Sequence, residues 1–174
     1  MAHNDGLKPA WQVEDLRYDY PDGTPALNGV SLSIERGEKA ALMGPNGAGK
    51  STLLLCALGI LGGWKGRIAF DGIDVNAGSI DGIRRRVGLV FQEPDDMLFM
   101  PTVYDDAAFG PLNAGHGDEE AGRRAEEALR RTGMWEKRSR PAHHLSAGEK
   151  RRAALAAVLS IGADVLLLDE PTSG

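Results

Sequence analysis

The chain has 174 residues, enough for one domain with a sizeable core, and 42% of them are hydrophobic against 26% charged. A net charge of −5 supplies no general attraction to nucleic acid, and a single cysteine excludes a disulfide within the chain. The longest nearly apolar run, residues 53–64, is too short to span a bilayer, and the opening Met1-Ala2-His3-Asn4-Asp5 has no basic region ahead of an apolar core, so neither a membrane span nor a signal peptide is expected.

Taken in order, residues 11–20 predict a strand that ends in a turn at Pro21-Asp22-Gly23. Residues 30–34 alternate apolar and polar, and Glu35-Arg36-Gly37-Glu38 turns the chain into an apolar strand at 40–43. Then comes Gly44-Pro45-Asn46-Gly47-Ala48-Gly49-Lys50-Ser51-Thr52, followed by an apolar helix from residue 53 to 61. Strand, glycine loop and helix together form the context of a phosphate site. Glycines keep side chains away, so consecutive backbone N–H groups can point at a triphosphate, and the helix adds the positive end of its dipole. Lys50 brings a cation to the β- and γ-phosphates, and Ser51 a hydroxyl for Mg²⁺. Cys56, inside that helix, reads as a small buried hydrophobe.

Two short strands fit residues 67–70 and 73–75, joined by a turn at Asp71-Gly72, and residues 87–91 form a compact apolar strand ending at Gln92. From Thr102 the pattern turns helical, with Asp118 as the N-cap of a helix over 119–131. The Lys/Arg-rich stretch 123–140 reads as a solvated face. A further helix is predicted for 147–161, charged first and apolar later, and residues 165–168 read as a buried strand. The order implies a parallel α/β core with an antiparallel edge and a helical lobe.

The acids Asp169 and Glu170 close that last strand, at the end where ligands meet a parallel sheet. Asp169 can hold Mg²⁺ and Glu170 can polarise an attacking water. Ser146, with the N–H groups of Ala147, Gly148 and Glu149 after it, opens a helix and offers a second phosphate-binding end.

Leu145-Ser146-Ala147-Gly148-Glu149-Lys150-Arg151-Arg152 resembles the signature of ATP-binding cassette (ABC) ATPases, usually Leu-Ser-Gly-Gly-Gln. With the loop Gly44 to Thr52, Gln92, and Leu167-Leu168-Asp169-Glu170-Pro171-Thr172, the resemblance covers the whole chain. It implies a P-loop NTPase core with an antiparallel β edge and a helical subdomain at about 93–145, in one ATP-binding domain over 1–174. It further implies ATP and Mg²⁺ as ligands, with Tyr20 (or its neighbour Tyr18) stacking on adenine, Lys50 on phosphate, and Ser51, Gln92 and Asp169 at the metal. Glu170 would be the base, and Ser146 would reach a nucleotide bound to a second ATPase subunit, identical or not. Two positions depart from the pattern: Ala147 replaces a glycine, and Glu149 replaces glutamine, placing a negative charge near the expected γ-phosphate.

Gln92-Glu93-Pro94-Asp95-Asp96-Met97-Leu98-Phe99 and the stretch Pro101 to Leu112 look like the energy-coupling-factor branch, above all the ATPases of cobalt and nickel importers. That branch implies a transmembrane coupling subunit and a substrate-binding membrane subunit as partners, no nucleic acid, and a peripheral place on the cytoplasmic face of the membrane. Met97, Leu98, Phe99 and Met100 either form a groove for the coupling subunit or belong to the helical-lobe core. Against the family pattern the chain reads as truncated: it stops within the loop after Asp169-Glu170, short of the last core strands and of a γ-phosphate histidine, a role His143 and His144 cannot fill. Two rivals to the importer reading are a soluble ABC ATPase and a catalytically silent nucleotide-binding module.

Overall fold

A computed structural model of the chain describes residues 8–170, and these fall into two compact units that divide between Arg84 and Arg85. The first unit holds a four-stranded antiparallel sheet in the order β2-β1-β3-β4, with β1 Trp11–Asp19, β2 Pro25–Ile34, β3 Lys65–Phe70 and β4 Ile73–Asp74. Helix α1, Lys50–Ala57, and the short α2, Ile80–Arg84, complete it.

Strand β1 changes phase midway: Trp11 and Val13 face the core, then Leu16 and Tyr18 do. Its pairing with β2 slips between Val13 and Leu16, and Asp15 takes a left-handed φ of 43° while its N–H donates to Ser31 Oγ at 2.9 Å. Such a bulge shifts the parity of the buried face by one residue. Opposite it, Gly66 has φ 98°, and a Cβ there would sit 2.4 Å from the Asp15 carbonyl oxygen, so only glycine fits. The predicted turns form as expected: Gly23 N–H donates to Tyr20 O, and Asp71-Gly72, both left-handed, make the two-residue hairpin loop of β3 and β4. Trp11 stacks on its cross-strand partner Phe70, centroids 5.8 Å apart. Cys56 and Ala57 carry α1 into the core, and Arg84 donates to the carbonyls of Leu58 and Gly59 beyond the end of α1.

The strand expected at 40–43 is not formed. Those residues join no ladder among the described residues, and Leu42 and Met43 are 49% and 89% exposed. An apolar run becomes a strand only when a neighbour takes its N–H and C=O groups.

The second unit pairs β5, Val87–Val90, with β6, Val165–Leu168, in parallel register from Val87↔Val165 to Val90↔Leu168. Three helices, α3 Val103–Asn113, α4 Asp118–Arg131 and α5 Ala147–Ile161, share a core rich in alanine, with Leu129 and Met134 fully buried. Small residues let the helices approach closely. Two sequence readings need correction. Strand 165–168 is not buried throughout, because only Leu167 faces the core while Leu166 and Leu168 are about two-fifths exposed. It has one ladder neighbour among the described residues, which leaves its other edge unpaired, and the face that carries Leu166 and Leu168 is the less covered of the two. Asp118 is not an N-cap: Gly117 occupies that position, and Asp118 is the first helical residue, where its carboxylate faces the helix dipole. The basic stretch is a solvated face whose arginines pair with glutamates one turn away, Glu120 with Arg124 and Glu126 with Arg130.

Candidate functional site

In the first unit the phosphate loop leads directly into α1. Gly49 is the N-cap with φ 86°, and a Cβ there would lie 2.5 Å from the Ala26 carbonyl oxygen of β2. This position therefore admits no side chain, and α1 begins with neither a capping side chain nor an acid in its first turn. The first N–H groups of a helix have no partner within it, and a helix start left without a side-chain cap is the arrangement that receives phosphate. Lys50 folds back over the loop, its Nζ donating to the carbonyls of Gly44 and Pro45, each at 2.9 Å. An anionic oxygen is a stronger acceptor for that ammonium than either carbonyl.

The end of β1 brings Tyr20 to this helix, its hydroxyl 2.9 Å from Thr52 Oγ1. Tyr18 is buried in the sheet and meets Tyr20 edge-on at 5.3 Å, and of the two Tyr20 is the one that stays partly exposed. Ser51 is half-buried in the first turn of α1. The donor set fits a nucleoside triphosphate: unclaimed N–H groups, one ammonium, one hydroxyl and a flanking aromatic ring.

In the second unit, Gln92 and Asp169 stand just beyond the carboxyl ends of neighbouring strands. Asp169 N–H donates to Val90 O at 3.0 Å, which continues the ladder one step past β6, and Gln92 follows Val90 by two residues and is exposed. This is the edge of a parallel sheet where ligands bind. Glu170, with a left-handed φ of 45°, turns the chain sharply there. The expected loop Pro171, Thr172, Ser173 and Gly174 lies outside the described residues. No group of three or more His, Cys, Asp or Glu that could hold a metal occurs among the described residues, so Mg²⁺ here would need phosphate oxygens among its ligands.

The signature opens α5 through a reciprocal cap. Ser146 Oγ accepts from Glu149 N–H at 3.4 Å, and Glu149 Oε2 accepts from Ser146 N–H at 3.0 Å. Glu149 Oε1 meanwhile binds the ammonium of Lys137, and this partner together with the Ser146 N–H lowers the carboxyl pKa from 4.5 to about 2. The uncompensated charge expected at position 149 is thus paired. Nothing in the sequence signalled Lys137, which lies on a separate short turn with no periodic relation to Glu149. Asp95 was also missed: both its oxygens accept from Lys150 Nζ, at 2.7 and 2.9 Å, tying the start of α5 to the turn after Gln92.

The apolar segment after Gln92 divides. Leu98 is 8% exposed and belongs to the helical core, with Met97 packed against it, whereas Phe99 is 63% exposed and meets Phe109 edge-to-face at 4.9 Å. Asp106 holds the segment in place, Oδ1 accepting the N–H groups of Phe99 and Met100 at 3.0 and 2.9 Å. Burial raises its carboxyl pKa. Among the described residues no helix is long and apolar enough to cross a membrane.

The profile of the family described as "ABC transporter" matches residues 27–173. The "Energy-coupling factor transporter ATP-binding protein EcfA" of Methanothermobacter thermautotrophicus is 49% identical over 165 residues, which cover 94% of this chain and 53% of that protein. The protein of the same name from Carboxydothermus hydrogenoformans is 50% identical, with 93% of this chain and 60% of that protein covered. Among solved structures, cbiO1 from Clostridium perfringens, described as part of the ABC transporter complex cbiONQ, superposes with a TM-score of 0.85 at 44% identity, covering 96% of this chain and 67% of that one. The fold is the α/β P-loop fold of those ATPases, and the chain spans between half and about 60% of the length of these two curated relatives.

Proposed function

The chain belongs to the ABC transporter family of ATP-binding proteins, and on that premise we propose that it binds and hydrolyses ATP·Mg²⁺ to power an importer. The observation that carries the reading is the loop before α1: a glycine N-cap that excludes any side chain, uncapped donors, and Lys50 poised on two carbonyls. Tyr20 stacks on the adenine, residues 44–52 wrap the phosphates, and the Mg²⁺ roles go to the Ser51 hydroxyl, Gln92 and Asp169. Bound Mg²⁺ would neutralise phosphate charge as the bond to the γ-phosphoryl group breaks. Glu170 orients and deprotonates the attacking water, and Ser146 with the first turn of α5 donates to the nucleotide of a second ATPase subunit. Residues 1–174 make up one ATP-binding domain, with a helical subdomain at about 93–145.

The names of the relatives support an energy-coupling-factor transporter, and the likeness of residues 92–99 and 101–112 to the ATPases of cobalt and nickel importers makes cobalt, nickel or a similar micronutrient the proposed cargo. The partners are then a transmembrane coupling subunit and a substrate-binding membrane subunit, and the protein works peripherally at the cytoplasmic face. Phe99, exposed beside Phe109, is the residue of the 92–104 segment offered to the coupling subunit. The pairing of Glu149 with Lys137 compensates the negative charge that would favour a silent nucleotide-binding module.

Lys50→Ala tests the binding reading. ATP·Mg²⁺ affinity, measured by calorimetry or a fluorescent analogue, is expected to fall by at least about tenfold, or 1.4 kcal/mol. A change within about twofold, worth ~0.4 kcal/mol, would place the phosphates elsewhere.

A further inference from the structure

The proposed task of α5 is to present Ser146 and its first-turn N–H groups to the phosphates of a nucleotide on a second subunit. A carboxylate in that turn works against the task, because a polyanion arriving at contact distance lies well inside the screening length of about 8 Å at physiological salt. Both oxygens of the Glu149 carboxylate are engaged: Oε2 takes the Ser146 N–H, and Oε1 takes the ammonium of Lys137. Ser146 Oγ serves only as acceptor in the cap, so that bond does not use its hydroxyl proton.

Lys137 is delivered by an anchored backbone. It ends the short 3-10 turn Trp135–Lys137, and the indole of Trp135 has the guanidinium of Arg130 at 4.7 Å and that of Arg138 at 4.3 Å. The carbonyls of Arg138 and Arg140 accept the N–H groups of Tyr104 and Val103 at the start of α3. The segment that carries the ammonium is therefore fixed to α3 and stiffened by a cation–π stack.

We infer that Lys137 is a positioning residue for the nucleotide of the second subunit: paired with Glu149, it cancels the carboxylate's charge and holds it against its own helix cap, which leaves the first turn of α5 able to receive phosphate. The inference rests on the ATP-driven dimer of the proposed function. In the family pattern a neutral glutamine occupies position 149; here an acid and its counter-charge together present the same net charge.

The test is nucleotide-dependent dimerisation of the full-length protein, followed by sedimentation with a non-hydrolysable ATP analogue and Mg²⁺, beside analogue affinity of the separate subunit. For Lys137→Met, dimer affinity is expected to fall at least about tenfold while subunit affinity for the analogue stays within about twofold. Lys137→Arg keeps dimerisation, and adding Glu149→Gln to Lys137→Met restores it. Should Lys137→Met fail to fold, Lys137→Gln removes the same charge and carries the same expectation. A double variant as poor as Lys137→Met would show a purely structural role and overturn the inference, as would a charge-removed variant that dimerises like the unsubstituted protein. If the unsubstituted protein forms no nucleotide-dependent dimer, the dimer in the proposed function falls, and this inference with it.

Discussion

Replacing Leu98 and Phe99 one at a time separates core from surface in the segment after Gln92. Leu98 is 8% exposed and packs at the rim of the helical core of the second unit. Cutting a buried leucine to alanine costs about 2–5 kcal/mol, and the residual exposure of Leu98 points to the lower part of that range, about 2–3 kcal/mol. In a chain of this length each kcal/mol lowers Tm by about 2–4 °C, so Leu98→Ala is expected to lower it by about 4–12 °C. Phe99 is 63% exposed, and its main contact is the edge-to-face pair with Phe109. Such a pair contributes about 0.5–1.5 kcal/mol, and partial exposure places Phe99→Ala near the lower bound, a shift within about 3 °C. Thermal scans and urea titrations of both variants read the difference directly. Under the proposed function, Phe99→Ala also lowers coupled transport while leaving ATP affinity unchanged. Equal destabilisation by the two variants, or a Leu98→Ala protein as stable as the parent, would refute the division.

Two further expectations follow from the environments of single groups. The Glu149 carboxyl has its pKa held at about 2, below the ordinary 4.5, so its contribution to stability is present above pH 4.5 and is lost as pH falls through 2. Comparing acid unfolding with that of Glu149→Gln should show the unsubstituted chain losing more stability across that window, and parallel curves would rule the coupling out. Cys56 is fully buried, and burial pushes its thiol up to about 11. At pH 8 labelling of the native thiol should run about 100-fold or more slower than in denaturant, because reaction needs a thiolate that burial suppresses. Native labelling at the denatured rate would show that α1 does not bury it.

Local conformation made much of this protein legible in its sequence. The phosphate loop could be read because Gly49 and Lys50 answer needs set within a few residues: a left-handed N-cap, and a cation at the start of a helix. The turns at Gly23 and Asp71-Gly72, the helix start at Ser146 and the helical stretches α4 and α5 are legible for the same reason. The bulge at Asp15 escaped because it is defined against Ser31 and Gly66 on neighbouring strands, and only the strand pairing shows that the buried face changes parity. Residues 40–43 look like a strand by composition, yet a strand exists only where another backbone accepts its hydrogen bonds, and that is a tertiary matter. Leu98 and Phe99 are adjacent and both apolar; the two N–H groups that Asp106 accepts help fix which one turns inward. The sequence likewise shows an acid at 149 but not its charge balance, because Lys137 reaches it across a fold whose geometry α3 and Trp135 decide, and electrostatic pairing depends on distance in space rather than along the chain.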